Sequence, residues 1–478
     1  MFLNRYDEIK SLKSLLDLDK ASIAVCKGRR RIGKSRLIEE FGKHVTNFID
    51  IQGLAPRKGT KKKDQLAAFG SQLSKNTSLP ALVPDSWTQA FSLLNSVIGK
   101  SKTVVLLDEI SWMASGDRDF PGLLKIAWDT ELSKHPKLIL VLCGSVSSWI
   151  ENNILNNTGF RGRVSVSLCI RELSLFYCNQ FWDRAPGKIS SFEKLKLLSI
   201  TGGVPKYLEE INPKQSAEDN IKRLCYQTDG YLFKEYGEIF HDSFGRRAPT
   251  YQKIIEKLST GFFGIDDISN HLGWKRGGRV SDYLEDLCKS GFVNRCVPKA
   301  PGMKSSPKNV RFRLSDNYLR FYLKYIRPVE FQIAQGLYRF VNLESLPGWE
   351  TIMGFQFENL VLNNIQSVCE SIGISMSAIK NAGPYFQKKT QKRPGCQIDL
   401  LIETRYTLYV CEIKFRKKIE KSVISDVSKK IQHLVFPNRF TVRPILIYVG
   451  ELGPGIKDSD FFSGIISFEQ LLTIPVGV

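Results

Sequence analysis

The octapeptide Gly28-Arg29-Arg30-Arg31-Ile32-Gly33-Lys34-Ser35 constrains this chain more than any other feature, because it satisfies G-x-x-x-x-G-K-[ST] between a strand-like and a helix-like run. Ala21 to Cys26 before it is short, apolar and partly β-branched; Ser35 to Phe41 after it is amphipathic. Strand, tight loop and helix in that order bring loop amides together at a helix N-terminus, where phosphate oxygens are held. Gly28 and Gly33 permit the loop, Lys34 adds a point charge, and the Ser35 hydroxyl is placed to ligate Mg²⁺. Thr103 to Leu107 and Leu138 to Cys143 are further apolar runs without alternation, as expected of parallel strands covered on both faces. The first domain is therefore predicted to be a P-loop parallel-sheet α/β core.

About 70 residues beyond the loop, Val104 to Leu107 ends in Asp108-Glu109. An acid closing such a strand is placed for a water-bridged hold on Mg²⁺, which falls to Asp108, and the next acid, Glu109, for orienting an attacking water. Binding of a nucleoside triphosphate with Mg²⁺ follows, and Glu109 is what adds hydrolysis to binding.

Lys and Arg total 69 against 48 Asp and Glu, a formal +21, so the surface should attract polyanions, nucleic acid first. Ten Cys occur without a C-x-x-C pair and only five His are present, so zinc-ligand spacing is absent and reduced thiols are expected. Arg5, Asp7 and Glu8 stand where a signal peptide would need apolar residues, and no run of about 18 apolar residues occurs. A cytoplasmic protein with no membrane partner is the expectation.

Four domains are predicted: a P-loop core over 1–170, a helical lid over 171–245, a winged helix over 246–330 and a C-terminal α/β domain over 331–478. The third shows Tyr251 to Leu258, Ile265 to Leu272 and Arg279 to Ser290 as short amphipathic helices, then an alternating wing from Phe292 to Leu314. Lys275, Arg276 and Arg279 at the start of its last helix suit a recognition helix, while Asp282, Glu285 and Asp286 on that helix suit a packing or subunit-contact module. In the last domain Phe321 to Trp349 leads in with helical period, Ile352 to Val368 reads as one helix, and Ile398 to Lys414 reads as a β-hairpin.

Register gives that hairpin its meaning. A symmetric, even turn centred between Arg405 and Tyr406 sets Asp399 directly across from Glu412, with Lys414 on the same face. Two facing carboxylates repel unless a cation lies between them, and hard oxygen ligands suit Mg²⁺ or Mn²⁺. Asp399 and Glu412 are thus candidate metal ligands, Lys414 a candidate for activating water or stabilising phosphodiester charge, and Glu358 on the preceding helix a further acid. Lys388, Lys389, Lys392 and Arg393 precede the hairpin and Arg416, Lys417 and Lys418 follow it, a positive surround suited to phosphate.

These residues resemble the prokaryotic archaeal-type ATPases of the AAA-like P-loop class, which carry a winged helix and a C-terminal nuclease-like domain. The family marks are Phe2-Leu3-Asn4-Arg5 with Glu8, the arginine-rich loop, Leu106 to Met113, Gly144-Ser145, and Thr201 to Tyr207, similar to a G-G-x-P lid motif. Asn4 stands where the family usually has Gly. The resemblance implies ATP as the nucleotide, Ser145 as a sensor of the γ-phosphate, and Arg161 or Arg163 as an arginine finger acting across a contact between copies of the chain. The acids with Lys414 are similar to the PD-(D/E)xK nuclease superfamily. Together these features predict an ATPase coupling nucleotide state to DNA binding or metal-dependent DNA cleavage; the alternative is a nucleotide-switched nucleic-acid-binding or signalling regulator that cuts nothing.

Overall fold

The structure, a computed structural model, describes residues 3, 5–57, 59–145, 147–183, 187–244, 247–274, 278–299, 301–302, 310–391 and 394–475. Lys275, Arg276, Lys392 and Arg393, singled out above, lie outside these residues, as do Phe2 and Asn4. The chain divides into two compact units, one of residues 1–171 with 241–245 and 289–291, the other of 172–240, 246–288 and 292–478.

The first unit is built on β1 (Ser22–Lys27), β2 (Asn47–Gln52), β3 (Thr103–Asp108), β4 (Leu138–Gly144) and β5 (Val164–Cys169), all parallel in the order β2-β3-β4-β1-β5. The three central strands are those the apolar runs mark, and they are buried almost throughout. The flanking strands β2 and β5 are not marked by such runs, because an edge strand buries only alternate residues: Ile49 and Ile51 in β2, and a half-buried, exposed alternation in β5.

Alternate residues of the central strands face two separate cores. Val25, Leu107 and Leu142 meet Trp87, Phe91 and Phe120 on one side; Cys26, Leu106 and Val141 meet Leu37 and Phe41 on the other. Each buried large side chain contributes about 1.5–3 kcal/mol, which fixes the sheet rigidly. The octapeptide after β1, Asp108 and Glu109 at the end of β3, and Ser145 after β4 therefore share the carboxyl edge, where open α/β sheets place ligands.

From residue 173 to 244 the described residues are mostly helical, with Leu175–Asn179, Ser191–Thr201, Pro205–Glu209, Ala217–Cys225 and Tyr231–Phe244 as the α-helices. Three helices follow, Ala248–Leu258, Ile265–His271 and Gly278–Lys289, and then an antiparallel ribbon of β6 (Val293–Cys296) and β7 (Arg311–Leu314). The stretch expected to lead in as helix from Phe321 to Trp349 is broken instead. Pro328 enters a single 3₁₀ turn, and Gly336, with φ 78°, takes a left-handed conformation among turns. The helix expected from Ile352 to Val368 is two, Trp349–Asn363 and Ile365–Ser371. Asn364 parts them, and its side chain accepts from Leu175 N and donates to Leu360 O.

The C-terminal sheet comprises β8 (Asn381–Gln387), β9 (Cys396–Glu403), β10 (Thr407–Ile419), β11 (Thr441–Leu452) and β12 (Gly464–Ser467), in the order β12-β11-β10-β9-β8. β8, β9 and β10 are antiparallel, whereas β10, β11 and β12 are parallel. Val423, Val427 and Leu434 of the helix Ser422–His433 and the segment after it close the core over Ile398, Leu401, Val410 and Leu446. Among the described residues no helix is long and apolar enough to cross a membrane.

Candidate active sites on the two sheets

Backbone conformation explains the glycines of the loop. Gly33 has φ 88° and caps the helix Lys34–Gly42, and a Cβ on Gly28 (φ 154°) would lie 2.5 Å from the Ile170 carbonyl oxygen. Arg31 also adopts a left-handed conformation, with φ 68°. Ile32 anchors the loop in the core, while Arg29, Arg30 and Arg31 surround it with charge. Lys34 is buried and donates to the Arg29 carbonyl at 3.0 Å, so its ammonium sits inside the loop. Arg5 is a further anchor. It is buried and donates to the carbonyls of Ile32 at 3.3 Å and Arg171 at 2.6 Å.

The metal side is equally assembled. Ser35 Oγ donates to Asp108 Oδ2 at 2.6 Å, joining the two residues expected to hold Mg²⁺. Glu109, at φ 48°, turns its carboxylate toward β4, where Oε2 accepts from Ser145 N at 3.1 Å and Ser145 Oγ at 2.9 Å. Ser145 thus holds the acid expected to orient water. Asp50 of β2 joins them without a sequence signal: burial, with Asp108 adding like charge, pushes its carboxyl up to about 6. A hydroxyl, a carboxylate, a buried ammonium and a glycine-framed loop at one helix N-terminus fit a nucleoside triphosphate with Mg²⁺.

On the second sheet the predicted register holds for Leu408 opposite Glu403, Tyr409 opposite Ile402, Val410 opposite Leu401 and Cys411 opposite Leu400. It stops one pair short of Asp399 and Glu412. The β8 pairing slips there, from Gly383 opposite Leu401 to Tyr385 opposite Ile398, so β9 bulges at Asp399 and Leu400. The Asp399 carboxylate instead accepts the Ile413 N–H at 3.0 Å. The two acids remain neighbours through Lys430, whose Nζ lies 2.5 Å from Glu412 Oε2 and 3.8 Å from Asp399 Oδ1. Lys414 Nζ lies 2.6 Å from Glu412 Oε1.

Burial, reinforced by Glu412, raises the Asp399 carboxyl above the usual carboxylate range. Glu358 is pushed up to about 7, first by burial and then by Asp399, and its Oε1 is buried without a hydrogen-bond partner among the described residues. Burial would lower Lys430, but Asp399 and Glu412 more than offset it. The orphaned oxygen and the hard carboxylates suit a divalent cation in donor type. Among the described residues, however, no group of three or more His, Cys, Asp or Glu is placed to hold one.

Lys430 has a sequence signal. It falls seven residues after Val423 and three after Val427, on the apolar stripe of its helix, where a cation is out of place unless it meets buried acids.

Residues 2–211 match a family described as an ATPase domain predominantly from Archaea. This segment is an ATPase domain. An uncharacterised protein of Methanocaldococcus jannaschii is 26% identical over 360 residues, covering 75% of this chain and 76% of its own. A Walker-type ATPase of Pyrococcus abyssi is similar in fold, with TM-score 0.50 and 19% identity over 67% of this chain and 96% of that one. An ORC2 protein of Aeropyrum pernix matches at TM-score 0.41 and 14% identity, covering 70% and 94%.

Within the ATPase domain, Arg161 and Arg163 immediately precede β5, whose Val164 pairs with Ile23 at the start of β1. They stand at the amino edge of the sheet, a strand length of about 20 Å from the carboxyl edge that carries the loop. Arg163 is held by Asp129, with Nε to Oδ1 at 2.7 Å and Nη2 to Oδ2 at 2.9 Å. Arg161 is exposed, and among the described residues no side-chain hydrogen bond or ion pair engages it.

The helix–ribbon segment is occupied by packing. Asp286 accepts from Tyr251 Oη at 2.5 Å and faces Arg247 at 3.6 Å, while Arg279 lies over the Trp274 ring at 4.7 Å. Lys299 reaches Glu403 at 3.8 Å, Gly302 N donates to Glu403 Oε1 at 3.2 Å, and Arg313 of β7 donates to Asn359 and Asn363 beside Glu358.

Proposed function

We propose that the ATPase domain governs nucleic-acid binding, DNA foremost, and metal-dependent phosphodiester cleavage at the C-terminal acid cluster. The observation carrying this reading is the convergence of Asp399, Glu412 and Lys414 with Glu358 nearby, residues from two strands and a helix, beside exposed Lys388, Lys389, Arg416, Lys417 and Lys418. Asp399 and Glu412 would hold Mg²⁺ or Mn²⁺, which supplies Lewis acidity when bound. Lys414 would stabilise phosphoryl charge as a water oxygen bonds to phosphorus, one ester P–O bond breaks and the departing oxygen takes a proton.

At the loop, ATP phosphates would rest on the amides of residues 28–35 and on Lys34, Mg²⁺ on Ser35 and Asp108, and the attacking water on Glu109. Arg161, exposed and at the sheet edge remote from its own loop, suits a finger reaching the site of a second copy better than Arg163, whose guanidinium Asp129 engages. The four-domain division is part of this proposal, with the helix–ribbon segment of 246–330 read as a packing module and not as a groove reader. Its basis is the docking of Lys299, Gly302 and Arg313.

The test combines purified protein, ATP, Mg²⁺ or Mn²⁺ and labelled single- and double-stranded DNA. Cleavage lost in Asp399→Ala and in Lys414→Ala supports the reading; cleavage that persists in both removes the assignment. A second reading, binding without cleavage, is favoured by the way two lysines already neutralise Asp399 and Glu412. Unbroken DNA retained by wild type would establish it.

A further inference from the structure

The acid cluster is charge-balanced from within. Glu412 is only 1% exposed, and each of its oxygens meets one ammonium, Oε1 that of Lys414 and Oε2 that of Lys430. Lys430 Nζ also lies 3.8 Å from Asp399 Oδ1, so its ammonium serves both carboxylates that would hold a divalent metal. A metal and this ammonium cannot share the two acids without placing three positive charges within a few ångströms, which a half-buried site resists strongly.

Lys430 has somewhere else to go. Its side chain is 26% exposed and sits near the end of the helix Ser422–His433, so the flexible four-carbon stem can carry the ammonium to solvent without moving the helix. Glu358 Oε1, buried and without a hydrogen-bond partner among the described residues, remains as a further donor close to Asp399.

We propose that Lys430 is a built-in counter-cation that competes with divalent metal for Asp399 and Glu412, so that metal enters by exchange with the ammonium. An expelled ammonium finds a new anionic partner when a phosphodiester arrives, so metal and nucleic acid promote each other's binding. This inference rests on the cleavage reading only in placing metal at these acids.

Calorimetric titration of Mn²⁺ into the full chain without nucleotide tests it, using wild type, Lys430→Met and Asp399→Asn. Lys430→Met should bind at least about tenfold tighter than wild type, the order expected when one opposing charge leaves a half-buried site. Asp399→Asn should abolish that binding. Mn²⁺ binding unchanged by Asp399→Asn means the acids are not the metal site, and both this inference and the cleavage reading fall. Binding lost in Asp399→Asn but no tighter in Lys430→Met overturns the competition and leaves the cleavage reading standing. Should Lys430→Met not fold, Lys430→Gln replaces it, with Mn²⁺ raising its melting temperature more than that of wild type; an equal or smaller rise overturns the proposal.

Discussion

Glu109 and Ser145 form a pair whose separation gives distinct outcomes. In Glu109→Gln the phosphate loop, Lys34 and the Ser35–Asp108 contact are untouched, so ATP should still bind while steady-state hydrolysis falls by about 10²-fold or more, as for loss of a water-orienting group. Ser145→Ala removes one of two hydrogen bonds to Glu109 and should slow hydrolysis less, with Lys34→Ala abolishing ATP binding. Equal hydrolysis in wild type and Glu109→Gln would move water orientation to another group. Glu358 gives a second prediction at this scale. Its folded-state value of about 7 exceeds an ordinary 4.5, so folded protein binds that proton more tightly than unfolded chain. The resulting stability is present below about 4.5 and lost as pH rises to about 7, by at most about 3–4 kcal/mol. Urea unfolding at both ends of that window should show a flatter decline in Glu358→Gln; identical slopes would mean that folding leaves the proton affinity of Glu358 unchanged.

Elements differ in how plainly the sequence announces them. β1, β3 and β4 are buried on both faces, so uninterrupted apolar runs mark them, whereas β2 and β5 share the sheet's margins and carry no such run. The β9–β10 turn was legible because Thr404 N closes it on Thr407 O with even symmetry. The bulge at Asp399 was not, since it arises from β8, a strand that pairs from outside the hairpin. Lys430 was hidden for a like reason: its partners come from strands before its own helix, and only its position on an apolar stripe betrays it. The loop after β1 bears a test of backbone geometry. Gly28→Ala would drive a Cβ against the Ile170 carbonyl at 2.5 Å, and the loop must shift or strain by about 1–3 kcal/mol. Nucleotide affinity should fall at least tenfold with the sheet's far-ultraviolet signature retained; unaltered affinity would show that the loop tolerates the displacement.

For the whole molecule the dominant quantity is charge, +21 over 478 residues, and its meaning depends on where it is concentrated. Arg416, Lys417 and Lys418 are exposed on β10 beyond its last pairing with β9, in the same strand that supplies Glu412 and Lys414. Diffuse charge gives weak, strongly salt-dependent attraction to any polyanion, and replacing three scattered lysines would change it little. Charge concentrated on one strand behaves differently, because each cation that contacts a phosphate releases counterions on binding. The triple variant Arg416→Ala, Lys417→Ala, Lys418→Ala should therefore weaken duplex DNA binding and lower the slope of log affinity against log salt by about 2–3. Three lysines from the ATPase domain, exposed Lys43 and half-buried Lys62 and Lys125, provide the control, since their ammonium groups engage Glu40, Asp117 and Asp129. If both triple variants lower the slope equally, attraction is a property of net charge and the strand has no special part in it. If only the β10 variant does so, DNA lies along the strand that carries Glu412 and Lys414, where a phosphodiester would meet Lys414.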